Sequence, residues 1–176
     1  MAFAIEMYFD GRADAAVREI WAALEWNGIR STGSGPVANA RPHVSLAVFE
    51  SGTLEGVEQT LRSRPAQFRG LRLSFPSLGF FLTAEAVAFL SVAPTATLLQ
   101  LHRAVADSIA PLVSGYWPYY LPDAWTPHCT IASGAHDHAA VVASLAHVTL
   151  PVQATVQSVG VIEVPRGLPK FTIDVR

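Results

Sequence analysis

The 176-residue sequence is poor in cysteine, in lysine and in charge as a whole. Its single cysteine excludes an intramolecular disulfide. Lys170 is the only lysine, the arginines are scattered, and the formal net charge is −2. A protein that binds long nucleic acid would normally show clustered basic residues, so this class of partner is not expected. A small anionic ligand suits the charge balance better.

Long apolar runs and a basic leader are missing as well. No apolar stretch approaches the length that spans a bilayer, so we expect no membrane partner. Residues 1–10 carry acidic side chains and no basic ones, unlike a signal peptide. These features predict a soluble, cytoplasmic protein, which we expect to be a monomer. With 51% apolar residues, the chain can build a large core.

The most informative feature is a short pattern that occurs twice, at residues 42–46 and 127–131. Both copies read proline, histidine, any residue, a hydroxyl residue and an aliphatic residue. Because side chains alternate along a strand, the imidazole and the hydroxyl of each copy share one face. These polar residues are His43 and Ser45 in the first copy, and His128 and Thr130 in the second. Two such pairs facing each other would supply a general acid, a general base and hydrogen-bond donors for an anion.

A single copy of this pattern would be a weak signal, but the surrounding sequence repeats too. The two histidines are 85 residues apart, and Ser-Leu-Gly-Phe at 77–80 matches Ser-Val-Gly-Val at 158–161. Both halves read strand, helix, motif strand, helix, strand. We therefore expect an α+β fold with two pseudo-symmetric lobes of helix-backed antiparallel sheet and a central cleft. The chain would form one bilobal domain, with lobes of about 1–85 and 86–176 and terminal strands exchanged between them.

Hydrophobic spacing predicts the individual elements. Helices are expected before Asn27-Gly28, over 54–61, from Thr97 to Ile109, and after an N-cap at Asp137. Small residues predict a loop at 31–42, and glycine, proline and aromatic residues predict another at 114–127. Strands are expected at 4–9, 43–49, 71–81, 86–93, 128–132, 153–164 and 171–175.

The duplicated motif resembles that of the two-histidine (2H) phosphoesterase superfamily, which contains cyclic phosphodiesterases and proteins called 2′-5′ RNA ligases. The resemblance covers essentially the whole chain, because the order of the elements matches as well. It implies a metal-independent enzyme without a cofactor that hydrolyses a 2′,3′-cyclic phosphate or a related small phosphodiester. It further implies that His43 protonates the leaving oxygen and His128 activates water, while Ser45 and Thr130 bind phosphate oxygens.

Two departures from the family pattern bear on the substrate. No basic residue follows either motif, although members that act on RNA termini commonly have one there. Ser45 replaces the commoner threonine and keeps the hydroxyl. The expected partner is a small phosphodiester, a nucleotide or an RNA terminus. Two alternatives stay open: a non-catalytic module that binds RNA or nucleotides, and 2′-5′ end-joining of RNA on the same site.

Accessory residues near the motifs have two interpretations each. The aromatic loop could stack a base next to the phosphate or cover the edge of a sheet. Arg41 could contact the phosphate or point to solvent. We take these residues as candidate substrate contacts: Arg41, Tyr116, Trp117, Tyr119 and Trp125.

Other potential ligands of a metal or of a substrate have simpler explanations. His136, Asp137 and His138 lie where a helix is predicted to begin, and capping by Asp137 accounts for them. Cys129 occupies the apolar face of the second motif strand, which is typical of a small core residue. The sequence therefore predicts no metal site.

Overall fold

The structure, a computed structural model, describes residues 1–35, 37 and 40–176. Within these residues the helices are α1 (Gly11–Trp26), α2 (Leu54–Arg62), α3 (Ala96–Ile109) and α4 (His138–Ser144). The strands are β1 (Ala2–Phe9), β2 (His43–Gly52), β3 (Arg72–Phe75), β4 (Ser77–Phe81), β5 (Val87–Ser91), β6 (Val113–Tyr116), β7 (His128–Ala132), β8 (Val152–Val164) and β9 (Leu168–Asp174). No helix in the described part of the chain is long and apolar enough to cross a membrane.

The strands form two antiparallel sheets, which confirms the predicted α+β class. The larger sheet has the order β3-β8-β1-β2-β6, and β9 also pairs with β8. The smaller sheet has the order β4-β5-β7. Strand β8 is long enough to pair with β3 through its first residues and with β9 through its later ones.

Strands from both halves of the chain mix in each sheet. In the larger sheet β1, β2 and β3 are joined by β6, β8 and β9, and in the smaller one β4 pairs with β5. Each sheet therefore contains strands from both of the segments 1–85 and 86–176. The exchange involves internal strands such as β4 and β6 as well as strands near the termini.

The repeated unit is a pair of antiparallel strands connected through a helix. In the first copy β1, α1 and β2 form this unit, and in the second copy β5, α3 and β7 form it. The pairing places Tyr8 opposite His43 and Ser91 opposite His128. Each motif histidine thus has an equivalent partner position on the preceding strand.

The helices begin and end where local chemistry favours it. The Asp10 side chain caps α1 by accepting hydrogen bonds from the backbone of Arg12 and Ala13. The helix ends near Gly28, whose φ of +76° suits glycine. Asp137 caps α4 through the backbone N–H of Ala140 at 2.9 Å, as predicted.

Three predicted segments differ in detail. The strand expected at 71–81 is divided at Pro76 into β3 and β4, which belong to different sheets; proline has no N–H for a ladder. The loop expected at 114–127 contains the end of β6 and a 3-10 turn at Pro118–Tyr120. Within the loop predicted at 31–42, Pro36, Ala38 and Asn39 lie outside the described residues.

Candidate active site

A cleft of about 830 Å³ contains all four polar residues of the two motifs: His43, Ser45, His128 and Thr130. The two motif strands β2 and β7 lie in different sheets and both contribute to this cleft. Both motif histidines therefore line the same cleft.

Strand alternation presents the first motif to the cleft. Val44 and Leu46 are fully buried in the core, whereas His43 and Ser45 are half-buried on the opposite face. Nδ1 of His43 lies 2.7 Å from the carbonyl oxygen of Arg41. Since a carbonyl only accepts, Nδ1 carries a proton, and Nε2 is the nitrogen directed into the cleft.

The second motif repeats this arrangement in a more apolar setting. Nδ1 of His128 donates to the carbonyl oxygen of Thr126 at 2.7 Å. The rings of Phe81 and Phe89 pack against the imidazole, with centroids 4.9 and 5.2 Å away. Burial, followed by the neighbouring His43, lowers the pKa of His128, although the Thr126 hydrogen bond partly opposes this. His128 is therefore held in its neutral form.

The first histidine has a charged neighbour instead. Oε1 of Glu6 lies 3.3 Å from Nε2 of His43, and the other carboxylate oxygen accepts a hydrogen bond from the Tyr8 hydroxyl at 2.8 Å. The Arg41 guanidinium stacks over the Tyr8 ring, 4.0 Å from its centroid. The three residues Glu6, Tyr8 and Arg41 all line the cleft beside His43.

The backbone carbonyls of the two hydroxyl residues accept hydrogen bonds from side chains of other segments. Trp125 donates from Nε1 to the carbonyl oxygen of Ser45 at 3.0 Å, and Tyr120 lines the cleft together with Ser45. The carbonyl of Thr130 accepts from the Thr32 hydroxyl at 3.2 Å, which joins the loop after α1 to β7. Both side-chain hydroxyls face the cleft, where they can donate to an anion.

The predicted aromatic contacts are dispersed. Trp117 lines the cleft, is 40% exposed, and donates to Glu50 at 2.6 Å. Tyr116 is half-buried and Tyr119 is 80% exposed, and neither lines the cleft. Trp125 is buried and stacks on His102, with ring centroids 4.0 Å apart. Of these four residues, Trp117 is the one that lines the cleft.

The remaining candidates are structural. Burial raises the pKa of the Cys129 thiol to about 12, so it is a poor nucleophile. His138 packs against Phe80, with ring centroids 4.5 Å apart. Within the described residues, no three His, Cys, Asp or Glu side chains are grouped as metal ligands.

Comparison with known proteins identifies the family of this chain. The sequence model of the 2′-5′ RNA ligase superfamily matches residues 16–167, a span that includes both motifs. The chain belongs to the 2′-5′ RNA ligase superfamily. The predicted membership of this superfamily is thereby confirmed. No curated protein gives a significant match to the sequence.

Solved structures of this superfamily's fold align with nearly the whole chain. E. coli LigT bound to phosphate is 18% identical, with a TM-score of 0.58 over 98% of this chain and 95% of LigT. The protein TT0787 of Thermus thermophilus is 14% identical, with a TM-score of 0.62 over 100% and 98%. Kluyveromyces marxianus Usb1 with uridine monophosphate is 13% identical, with a TM-score of 0.50 over 99% and 96%. These alignments establish the 2H phosphoesterase fold.

Several cleft residues of this superfamily member escaped the sequence analysis: Glu6, Tyr8, Arg30, Tyr120 and Arg166. Glu6 left a readable signal, because it is the one charge in the otherwise apolar and aromatic stretch at 3–9. A carboxylate inside a buried strand is costly unless it has partners, which makes such a position informative. Arg30 and Arg166 gave no such signal, since both lie in segments that sequence places on the surface.

Proposed function

We propose that the protein is a metal-independent phosphoesterase that hydrolyses a 2′,3′-cyclic phosphate or a related small phosphodiester. The observation that carries this proposal is the pair of cleft histidines, each with Nδ1–H bound to a backbone carbonyl. This fixes both rings so that Nε2 is the nitrogen available for proton transfer. An acid and a base are what opening a phosphodiester requires.

The surroundings of the two histidines favour a division of roles. Neutral His128 would accept a proton from water through Nε2 as the water oxygen attacks phosphorus. His43 would donate a proton from Nε2 to the oxygen of the breaking P–O bond. The resulting phosphomonoester leaves with one new P–O bond and one protonated alcohol, and solvent restores both imidazoles. This is the order that the family resemblance implies.

Hydroxyls and guanidiniums would stabilise charge on the phosphate. Ser45 and Thr130 face the cleft with hydroxyls that can donate to the non-bridging oxygens. Arg30, Arg41 and Arg166 line the same cleft and make it attractive to an anion. With few other basic residues on the chain, this supports a small phosphodiester or an RNA terminus more than long nucleic acid.

The ligands of structural neighbours suggest the first probes. LigT has been crystallised with phosphate and with 3′-AMP, and Usb1 with uridine monophosphate. Trp117 at the edge of the cleft could stack on a base of such a molecule. Cyclic mononucleotides and short oligonucleotides that end in a cyclic phosphate therefore form the substrate panel.

The test is turnover of this panel with EDTA present. We expect hydrolysis to a single phosphomonoester, unchanged by the chelator, with large losses in His43→Ala and His128→Ala. His147→Ala, at an exposed position outside the cleft, is the matched control. Binding without turnover by every panel member would indicate a nucleotide-binding module. Joining of RNA ends without hydrolysis would indicate the ligase reaction instead.

A further inference from the structure

The two halves of the site are equivalent in backbone but not in their neighbouring side chains. On β1, Glu6 is paired with Ser45, and on β5 the equivalent position opposite Thr130 is Phe89. One histidine therefore has a carboxylate beside it, and the other has an aromatic ring. The repeat makes the two motifs alike, and this pair of positions breaks the symmetry, as do Tyr8 and Ser91 opposite the two histidines.

Glu6 is an unusual residue for a site that binds anions. It is only 4% exposed, lies in the central part of β1, and still faces the cleft. A buried carboxylate is costly without hydrogen-bond donors, and it repels a phosphate nearby. Its partners are the Tyr8 hydroxyl at 2.8 Å and Nε2 of His43 at 3.3 Å.

The partners of Nδ1 and Nε2 indicate which nitrogens of each imidazole carry a proton. Nδ1 and Nε2 of His43 both face oxygens that accept, namely the carbonyl of Arg41 and the carboxylate of Glu6. Nδ1 donates to the carbonyl, and Nε2 lies 3.3 Å from the Glu6 carboxylate, where a proton would make a charge-assisted contact and a lone pair would face a negative oxygen. His128 has one acceptor at Nδ1, the Thr126 carbonyl, and aromatic rings packed against its plane and edge. Its Nε2 keeps a lone pair.

We propose that Glu6 is a positioning residue that holds His43 as a doubly protonated proton donor, while Phe89 in the equivalent position keeps His128 as the acceptor. The two residues together assign the acid and the base within a duplicated site. This inference rests on the proposed function, because it concerns the direction of proton transfer in that reaction. It also predicts the protonation of His43 in the resting protein, which can be measured without turnover.

Several other charged or titratable groups lie near His43. Tyr8 faces it from β1, with ring centroids 6.5 Å apart, and Arg41 immediately precedes β2. His128 faces it from β7, and Tyr120 approaches from the turn at Pro118–Tyr120. Among these, Glu6 is the carboxylate and the one group whose negative charge opposes loss of the ring proton.

The proton transfers in one reaction cycle are consistent with this role of Glu6. When His43 gives its Nε2 proton to the leaving oxygen, the ring becomes neutral and keeps its Nδ1–H bond to Arg41. The Glu6 carboxylate then faces a lone pair, which is an unfavourable contact. Uptake of a proton from solvent restores the donor, and His128 releases the proton that it took from water. No other reactant is needed.

The test is the isosteric variant Glu6→Gln, read by ¹⁵N NMR of the imidazole nitrogens. At neutral pH we expect His43 of the wild-type protein to show two protonated nitrogens, and His43 of the variant to show one. His128 should show protonated Nδ1 and bare Nε2 in both. Glu163→Gln is the matched control: this glutamate is equally buried, and its ion pairs are with Lys170 and Arg166 instead of a histidine.

Kinetics separate positioning from general structure. Glu6→Gln should lower kcat about 10- to 100-fold, as expected for loss of a charge-assisted contact, with KM unchanged or lower. The same replacement made in His43→Ala should cause no further loss, because Glu6 acts through His43.

The wild-type spectrum alone can overturn the inference, even if Glu6→Gln fails to fold. A neutral His43 in the wild-type protein, or a doubly protonated His43 in a folded Glu6→Gln protein, would contradict it. A multiplicative loss in the double variant would show that Glu6 acts independently of His43. Absence of turnover with the expected spectra would instead count against the proposed function alone.

Discussion

The indole nitrogen of Trp125 donates a hydrogen bond to the carbonyl oxygen of Ser45 across 3.0 Å. This contact connects the segment that precedes the second motif to the strand that carries the first. Trp125 also stacks on His102 of α3 with an interplanar angle of 7°, so the indole is fixed on two sides. Trp125 thus contacts the strand of the first motif without lining the cleft.

Replacing Trp125 with phenylalanine tests this supporting role. The ring stack on His102 is kept, while the hydrogen bond to Ser45 is lost, so we expect the free energy of unfolding to fall by about 1 kcal/mol. Urea denaturation measures the change. Trp117→Phe, the same replacement at a more exposed indole, should leave stability nearly unchanged. Equal losses in the two variants would argue against a specific contribution from the Trp125 contact.

The two histidines should act on a single transition state. Acid–base assistance typically contributes about 10²- to 10⁴-fold per group, so His43→Ala and His128→Ala should each lose that much turnover. The double variant should be little worse than the poorer single variant, because both groups serve one step. Steady-state kinetics on one cyclic phosphate decides this. Losses that multiply would indicate that the histidines act in separate steps.

The hydroxyls are expected to contribute to phosphate affinity. Ser45→Ala and Thr130→Ala each remove one donor to a charged group, a loss of about 1.5–3 kcal/mol in binding. Titration of inorganic phosphate by calorimetry gives this energy without any turnover. Ser45→Thr and Thr130→Ser keep the hydroxyl and serve as controls. Unchanged affinity in both alanine variants would place the phosphate elsewhere in the cleft.

The low pKa of His128 sets the acidic side of the pH profile. Because burial lowers this pKa, the neutral base persists below the ordinary imidazole value of about 6.5, and activity should begin to fall only below that pH. Phe81→Ala admits water to the ring and should move the acidic limb to higher pH. Phe80→Ala, next to His138 instead, is the control. An acidic limb at or above pH 6.5 in the wild-type protein would contradict the assignment of His128 as the base.

The lowered pKa of His128 also affects the free energy of unfolding. The unfolded chain binds the His128 proton more tightly than the folded chain does, so the free energy of unfolding should decrease as pH falls from about 6.5 through the folded pKa. Above pH 6.5 both states are neutral at this residue, and its contribution is constant. Denaturation of His128→Gln over the same pH range should show a smaller decrease.

Trp117 is the aromatic residue placed to recognise a base. If it stacks on a nucleobase, Trp117→Ala should weaken binding of a nucleotide by about 1–3 kcal/mol and leave binding of inorganic phosphate unchanged. Tyr119→Ala should affect neither, since that ring is 80% exposed outside the cleft. Fluorescence titration with both ligands compares the variants. Equal weakening for both ligands would indicate that Trp117 supports the cleft through Glu50 instead.

Local patterns predicted the motif strands and the helices well, because each depends on contacts close in sequence. Alternation was sufficient to place His43 with Ser45, and the spacing of Val17, Ile20 and Leu24 was sufficient to place α1. The pairing of β8 with β1 and of β4 with β5 is non-local, and periodicity carries no information about which distant strand becomes a neighbour. Periodicity alone therefore could not predict which strands of residues 1–85 and 86–176 share a sheet.

The sequence also predicted only part of the candidate site. The four motif residues were found because two copies confirmed each other, and a resemblance to a family stood behind them. Aromatic composition alone did not separate Trp117, which faces the cleft, from Trp125, which packs into the core. Glu6 was missed because its role depends on a pairing partner 39 positions away, at Ser45. Which residue of a strand faces a distant element is a property of the assembled sheet.

The place of β1 in the larger sheet bears on how the protein is made. β1 lies between β2 and β8, so one of its two edges can form its hydrogen bonds only after residues 156–164 have been made. During synthesis on the ribosome, that edge stays open while most of the chain is still being translated. Such distant pairing slows folding and exposes an unpaired strand edge to other chains. We expect nascent chains arrested before β8 to bind chaperones, and chains released after β8 to escape them.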